Sequence, residues 1–156
     1  MATAQTVVLH PVTDLDRRLI GIFHPSMLAI FDIVDHEGQW FAACEFVPSQ
    51  SLENLLAGMK WHPRRAAEIV AEVADGTAEL HARGLAHGHI STATVFVTAN
   101  GKAKLSLLAA DASRDAQADL RALQGLMDDI AGKRSPIIEQ TESAAVLAAV
   151  LRSFGL

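Results

Sequence analysis

The sequence predicts one α+β domain, and three features carry that expectation. Two pairs of β-branched and aromatic runs each flank a short polar turn, the pattern of a β-hairpin. Between the two pairs, apolar residues recur at a period near 3.6 over residues 63–83, the pattern of a long amphipathic helix. A chain of 156 residues, 50% of them apolar, can bury one core but not two.

From the N-terminus, Val7, Val8 and Leu9 suit a strand and residues 14–22 a short helix. Runs 27–34 and 39–47 form the first hairpin about Asp35, His36, Glu37 and Gly38. Pro48 stops the second run, and Ser51 suits the N-cap of a short helix carrying Leu52, Leu55 and Leu56. The long helix starts at Pro63 and stops before Gly84, with Ala66, Ile69, Val70, Val73, Ala78 and Leu80 on its apolar stripe. Runs 95–98 and 103–107 form the second hairpin, where Asn100 and Gly101 tolerate the positive φ of a tight turn. Residues 111–118 are small and polar and read as a loop. A helix follows over 119–131, with Leu120, Leu123, Leu126, Met127 and Ile130 at helical spacing. After a break at 132–136, residues 141–154 form a last amphipathic helix with Val146, Leu147, Val150, Leu151 and Phe154 on one side.

Composition narrows the function classes. Thirteen Lys and Arg against eighteen Asp and Glu give a formal net charge of −5, the wrong sign for a nucleic-acid footprint. The single cysteine, Cys44, excludes an internal disulfide framework and a four-cysteine zinc site, and it fits a reducing compartment. No apolar run approaches the ~18 residues of a membrane span, and the N-terminus lacks the basic flank and hydrophobic stretch of a signal peptide. A cytoplasmic protein without membrane insertion is expected.

Four separated stretches resemble the middle of a bacterial Ser/Thr protein kinase, in the right order. His24-Pro25 is similar to the pair preceding the family's fourth strand, and Glu45-Phe46-Val47 to the hinge, followed by Ser51-Leu52. Leu80-His81 through Gly84 to His87 resembles the approach to the catalytic loop, and Asp119-Leu120 the start of the central large-lobe helix. The resemblance implies a protein kinase-like fold truncated at both ends. Residues 1–47 would be a reduced small lobe with two or more antiparallel strands, and 48–156 a partial helical large lobe carrying a β-hairpin.

The same resemblance implies that the catalytic groups are gone. Where the family has His-Arg-Asp, a Lys and an Asn, this chain reads His87, Gly88, His89, then Ser91 and Thr94. Leu107 stands where Asp-Phe-Gly would supply a magnesium ligand, with Asp111 available only through a register slip. No lysine precedes residue 24, and His10 takes the strand lysine's place. Phosphoryl transfer depends on metal ions and positioned charge, so little chemistry is implied to survive. Asp119 and His87 look like the family's structural brace, the alternative being a plain first-turn acid at Asp119.

Other candidates weigh less. His81, His87 and His89 could with a carboxylate hold zinc, but their places in the pattern do not converge. Ser91 and His89 lack a third orienting group for nucleophilic catalysis. Cys44, at the gatekeeper position, reads as a small buried hydrophobe, and Lys102, Lys104 and Lys133 as solvated charges. Trp61 is the aromatic most suited to face a partner. Missing elements would leave apolar surface worth ~25 cal/mol per Å² in water. Either the last helix folds back through Leu147, Leu151 and Phe154, or another chain docks there.

The expected function is therefore a catalytically inactive pseudokinase, a protein-binding or scaffold module of bacterial signalling or cell-envelope regulation, with no cofactor or metal and a two-fold homodimer. The alternatives are a nucleotide-binding sensor using the hinge at Glu45 and Val47, or an enzyme of altered chemistry through His89.

Overall fold

A computed structural model describes residues 6–133 and 136–153 of the chain. Its first sheet is built by Val7–Pro11 (β1), Ile30–His36 (β3) and Gln39–Glu45 (β4), antiparallel in the order β1-β4-β3. A second sheet joins Met27–Leu28 (β2), Ser49–Ser51 (β5), Val95–Thr98 (β6) and Ala103–Ser106 (β7) in the order β2-β7-β6-β5. Only the β2–β7 pair in this sheet is parallel.

The helices are Leu52–Leu56 (α1), Pro63–Ala82 (α2), Ala116–Ala131 (α3), Pro136–Glu139 (α4) and Ala144–Ser153 (α5). Helix α2 is the spine. His62 Nδ1 accepts the Arg64 N–H at its start, and Pro63 occupies the first turn, where its missing donor costs nothing. At its end, Leu85 N–H bonds Leu80 C=O and Gly84 N–H bonds His81 C=O, the paired closure of a Schellman motif. Ile69, Val70, Val73 and Leu80 are fully buried on this helix, against α3 on one side and α5 on another.

Several expectations need correction. The run 27–34 breaks at Ala29: β2 joins the second sheet and β3 the first, with a register shift between Ile30 and Asp32. The second run ends as a strand at Glu45, before Pro48 as expected, but β5 follows the proline unforeseen and pairs with β6. Proline forbids a ladder donor at its own position, not at the next residue. Residues 14–22 form only a 3-10 turn, Arg17–Leu19, capped by Asp16. In the second hairpin only Gly101 takes the positive φ, at 82°, and Asn100 does not. That hairpin's second strand ends at Ser106, with Leu107–Ala109 in a 3-10 turn. Helix α3 starts three residues before the expected position, capped by Asp115, whose Oδ1 accepts the Gln117 N–H. Helix α4 is unexpected: it lies between the predicted break at 132–136 and the predicted last helix, overlapping the break only at Pro136.

The last helix folds back onto α2. Leu147 and Leu151 are buried at 0% and 1% exposure, so the two residues offered to a partner are instead part of this chain's own core. Val146, read as part of the same face, is half-exposed. Phe154 lies outside the described residues.

Candidate functional site

The loop after α2 is organised around one carboxylate. Asp119, buried in the first turn of α3, accepts the His87 N–H at Oδ2 and the Gly88 N–H at Oδ1, both at 2.8 Å. His81 Nε2, on the last turn of α2, lies 2.9 Å from Oδ2. Burial pushes this carboxyl up, but His81 and the two backbone donors more than offset it and hold its pKa below the ordinary value of 3.8. Sequence reasoning paired Asp119 with His87 and missed His81, although Leu80-His81 was part of the recognised stretch.

His87 is fully buried and held neutral. Its Nδ1 accepts the His89 N–H at 3.2 Å, so the proton sits on Nε2, which donates to Ser106 C=O at 2.7 Å. Burial is the main reason its pKa falls below 6.5. This ring bridges the loop to β7, a role read from Ser106 O, which nothing in the sequence signals. Gly88 sits at φ 81°, and a Cβ there would lie 2.5 Å from Arg114 Cγ and 3.1 Å from Asp111 O. The position is therefore closed to other residues both by conformation and by space.

The remaining loop residues close on themselves. Thr94 Oγ1 accepts the Ser91 N–H at 2.9 Å and faces His89 C=O at the same distance. Ser91 Oγ accepts the Ala93 N–H. His89 is exposed, and its ring has no hydrogen-bonding partner among the described residues. Leu107 is fully buried in the core. Asp111, the register-slip candidate, spends its carboxylate on the Ser113 N–H and hydroxyl and on Arg114, and Ser113 is what chiefly lowers its pKa. Among the described residues no three His, Cys, Asp or Glu side chains gather as metal ligands.

At the hinge candidate, Glu45 donates its backbone N–H to Ala29 C=O at 2.8 Å, and its carboxylate accepts the Ala29 N–H at 3.1 Å. Beside it lies a cavity of about 240 Å³ walled by Val8, His10, Leu28, Cys44, Val47 and Leu108. Burial pushes the Cys44 thiol up to about 11, so it is a protonated wall residue and no nucleophile. Trp61 is half-buried against the core, its N–H on Ile130 C=O at 2.8 Å and the Arg65 guanidinium 6.0 Å from its ring centroid. The residue is thus already committed within the chain on one ring face.

The kinase family uses magnesium, and the resemblance puts the family's magnesium ligands at Thr94 and Leu107. A magnesium ion needs oxygen ligands at near-octahedral geometry. Leu107 has none, and the Thr94 hydroxyl is engaged by its own loop. These two side chains present no free oxygen to a metal ion.

No family model matches this chain. It is 26% identical over 92 residues to serine/threonine-protein kinase pkn2 of Myxococcus xanthus, covering 59% of this chain and 11% of that protein. To a sequence named probable serine/threonine-protein kinase in Streptomyces coelicolor it is 29% identical over 87 residues, covering 53% and 13%. The chain thus spans about a tenth of the length of the curated relatives it matches. Among solved structures, the PknI kinase domain of Mycobacterium tuberculosis superposes with a TM-score of 0.75 in a double mutant, at 17% identity, over 90% of this chain and 75% of that one. The unmutated PknI domain gives 0.71 at 18% identity, over 86% and 74%. The fold is that of a protein kinase domain.

Proposed function

We propose that this chain is a kinase-fold binding module that holds a protein partner and does not transfer phosphate. One observation carries the reading: the two positions that would grip magnesium are a leucine sealed in the core and a threonine whose hydroxyl closes its own loop. Framework groups are retained beside them, with Asp119 meeting all of its buried acceptor demands. The setting is bacterial signalling or envelope regulation inside the cytoplasm; the similarity to bacterial kinases supports the signalling part. Among the described residues no helix is long and apolar enough to cross a membrane.

The test is transfer of radiolabelled phosphate from ATP, with magnesium or manganese, to the chain itself and to a general acceptor protein. The expected result is none. Transfer that is lost in His89→Ala would instead establish the altered-chemistry reading.

The cavity beside the hinge favours a second reading, a sensor for a flat heterocycle. At about 240 Å³ it lies below the ~300–1,000 Å³ of drug-sized sites, so it suits a bare purine-like ring better than a nucleotide. His10 replaces the charge that would meet a phosphate. Thermal shift with adenine against ATP separates the cases: stabilisation by ATP alone would favour a nucleotide sensor.

Self-association is proposed through the small sheet. Strand β1 is an edge strand among the described residues, with Val7 and Leu9 about half-exposed. Light scattering of the full chain that returns a monomer at micromolar concentration removes this dimer.

A further inference from the structure

We propose that the concavity behind the hinge is a docking groove for an acidic, extended peptide segment of the partner; this rests on the binding-module reading. The groove measures about 700 Å³, within the ~300–1,000 Å³ typical of ligand sites. Val47 lines both this groove and the smaller cavity, so the hinge is the wall between them.

The walls come from three elements brought together only by the fold. Helix α2 contributes Arg64, the β6–β7 hairpin Lys102 and Lys104, and α5 Arg152. Against these four cations the lining holds two carboxylates, Glu68 and Glu72. That is an excess of positive charge in a chain whose formal net charge is −5.

The carboxylates are already engaged. Glu72 accepts the Ala103 N–H at 2.6 Å and faces Lys102 Nζ at 3.9 Å, and Glu68 pairs with Arg65 at 3.0 Å. Two of the cations are fixed by the framework: Lys104 Nζ donates to Pro25 C=O at 2.9 Å, and Arg152 pairs with Asp75. Arg64 has no hydrogen-bond or ion-pair partner for its guanidinium among the described residues. With Arg152 paired to Asp75 and Lys102 facing Glu72, the charge that no carboxylate of the described residues neutralises is that of Arg64 and Lys104, whose ammonium meets only a neutral carbonyl.

Charge complementarity selects an acidic occupant, and the binding-module reading makes that occupant a segment of the protein partner. Exposed ion pairs are individually weak, so binding draws on several at once and falls with salt.

The full chain is titrated into a fluorescein-labelled decapeptide of alternating glutamate and leucine, and anisotropy is read at low and at moderate salt. The lysine–leucine counterpart serves as control. Expected is binding of the acidic peptide only, weakened by salt. In Arg64→Glu combined with Lys102→Gln, binding should weaken about tenfold or more, with circular dichroism checking that the variant keeps the parent's fold. Absence of binding, equal binding of the two peptides, or undiminished binding in the double variant overturns the groove. Phosphate transfer by the chain would sink the binding-module reading while leaving the peptide result legible on its own.

Discussion

His81 Nε2 on α2 lies 2.9 Å from Asp119 Oδ2 on α3, so a single buried carboxylate ties two helices to each other and both to the intervening loop. Replacing Asp119 by Ala leaves the His87 and Gly88 N–H groups unsatisfied and removes His81's partner. The expected loss is about 3 kcal/mol in urea unfolding. Asp119→Asn, which keeps one acceptor, should lose less; equal stability of Asp119→Ala and the parent would contradict the brace.

Acid sensitivity should come in two windows. His87 has a lowered folded pKa, so the unfolded chain takes up that proton first: its contribution is complete above 6.5 and erodes as pH falls below that value. The slope from this one group is at most about 1.4 kcal/mol per pH unit. Asp119 is also lowered, so its contribution is complete above 3.8 and is lost only below that. Unfolding free energy measured against pH in the parent and in His87→Gln checks the assignment, since the variant should lack the upper window.

Leu147→Ala should cost about 2–5 kcal/mol, because the side chain is fully buried between α5 and α2. Val146→Ala, one residue away and half-exposed, should stay within about 0.5 kcal/mol. Similar effects from both would mean that α5 does not pack as described.

Leu107→Asp should cost about 3 kcal/mol or more, since it places a carboxylate in the core. Adding Thr94→Asn restores the family's ligand types without restoring a site. Isothermal titration with magnesium and ATP should therefore detect no metal-dependent binding.

What the sequence disclosed follows from the range of the forces involved. Helix α2 was legible to within a residue, because periodicity, Pro63 and Gly84 are local signals that agree. The split of 27–34 was not, since only distant β7 decides that Met27 and Leu28 leave the first sheet. The same holds for β5, which exists through its pairing with β6. At the site, the Asp119 to His87 link could be anticipated from resemblance, but not His87's bond to Ser106 or the inward turn of Thr94. Leu147 and Leu151 were seen to need cover; whether α2 or a partner supplied it is a tertiary fact. Lys102 and Lys104 read as solvated turn charges, because Arg64 and Arg152 join them only in three dimensions.

The 3-10 turn Arg17–Leu19 occupies the stretch between the lysine-like strand and the next, and Leu19 within it is fully buried. Active kinases are controlled by repositioning a helix in that region. A single turn anchored in the interior through Leu19 offers no helix of that kind to reposition among the described residues.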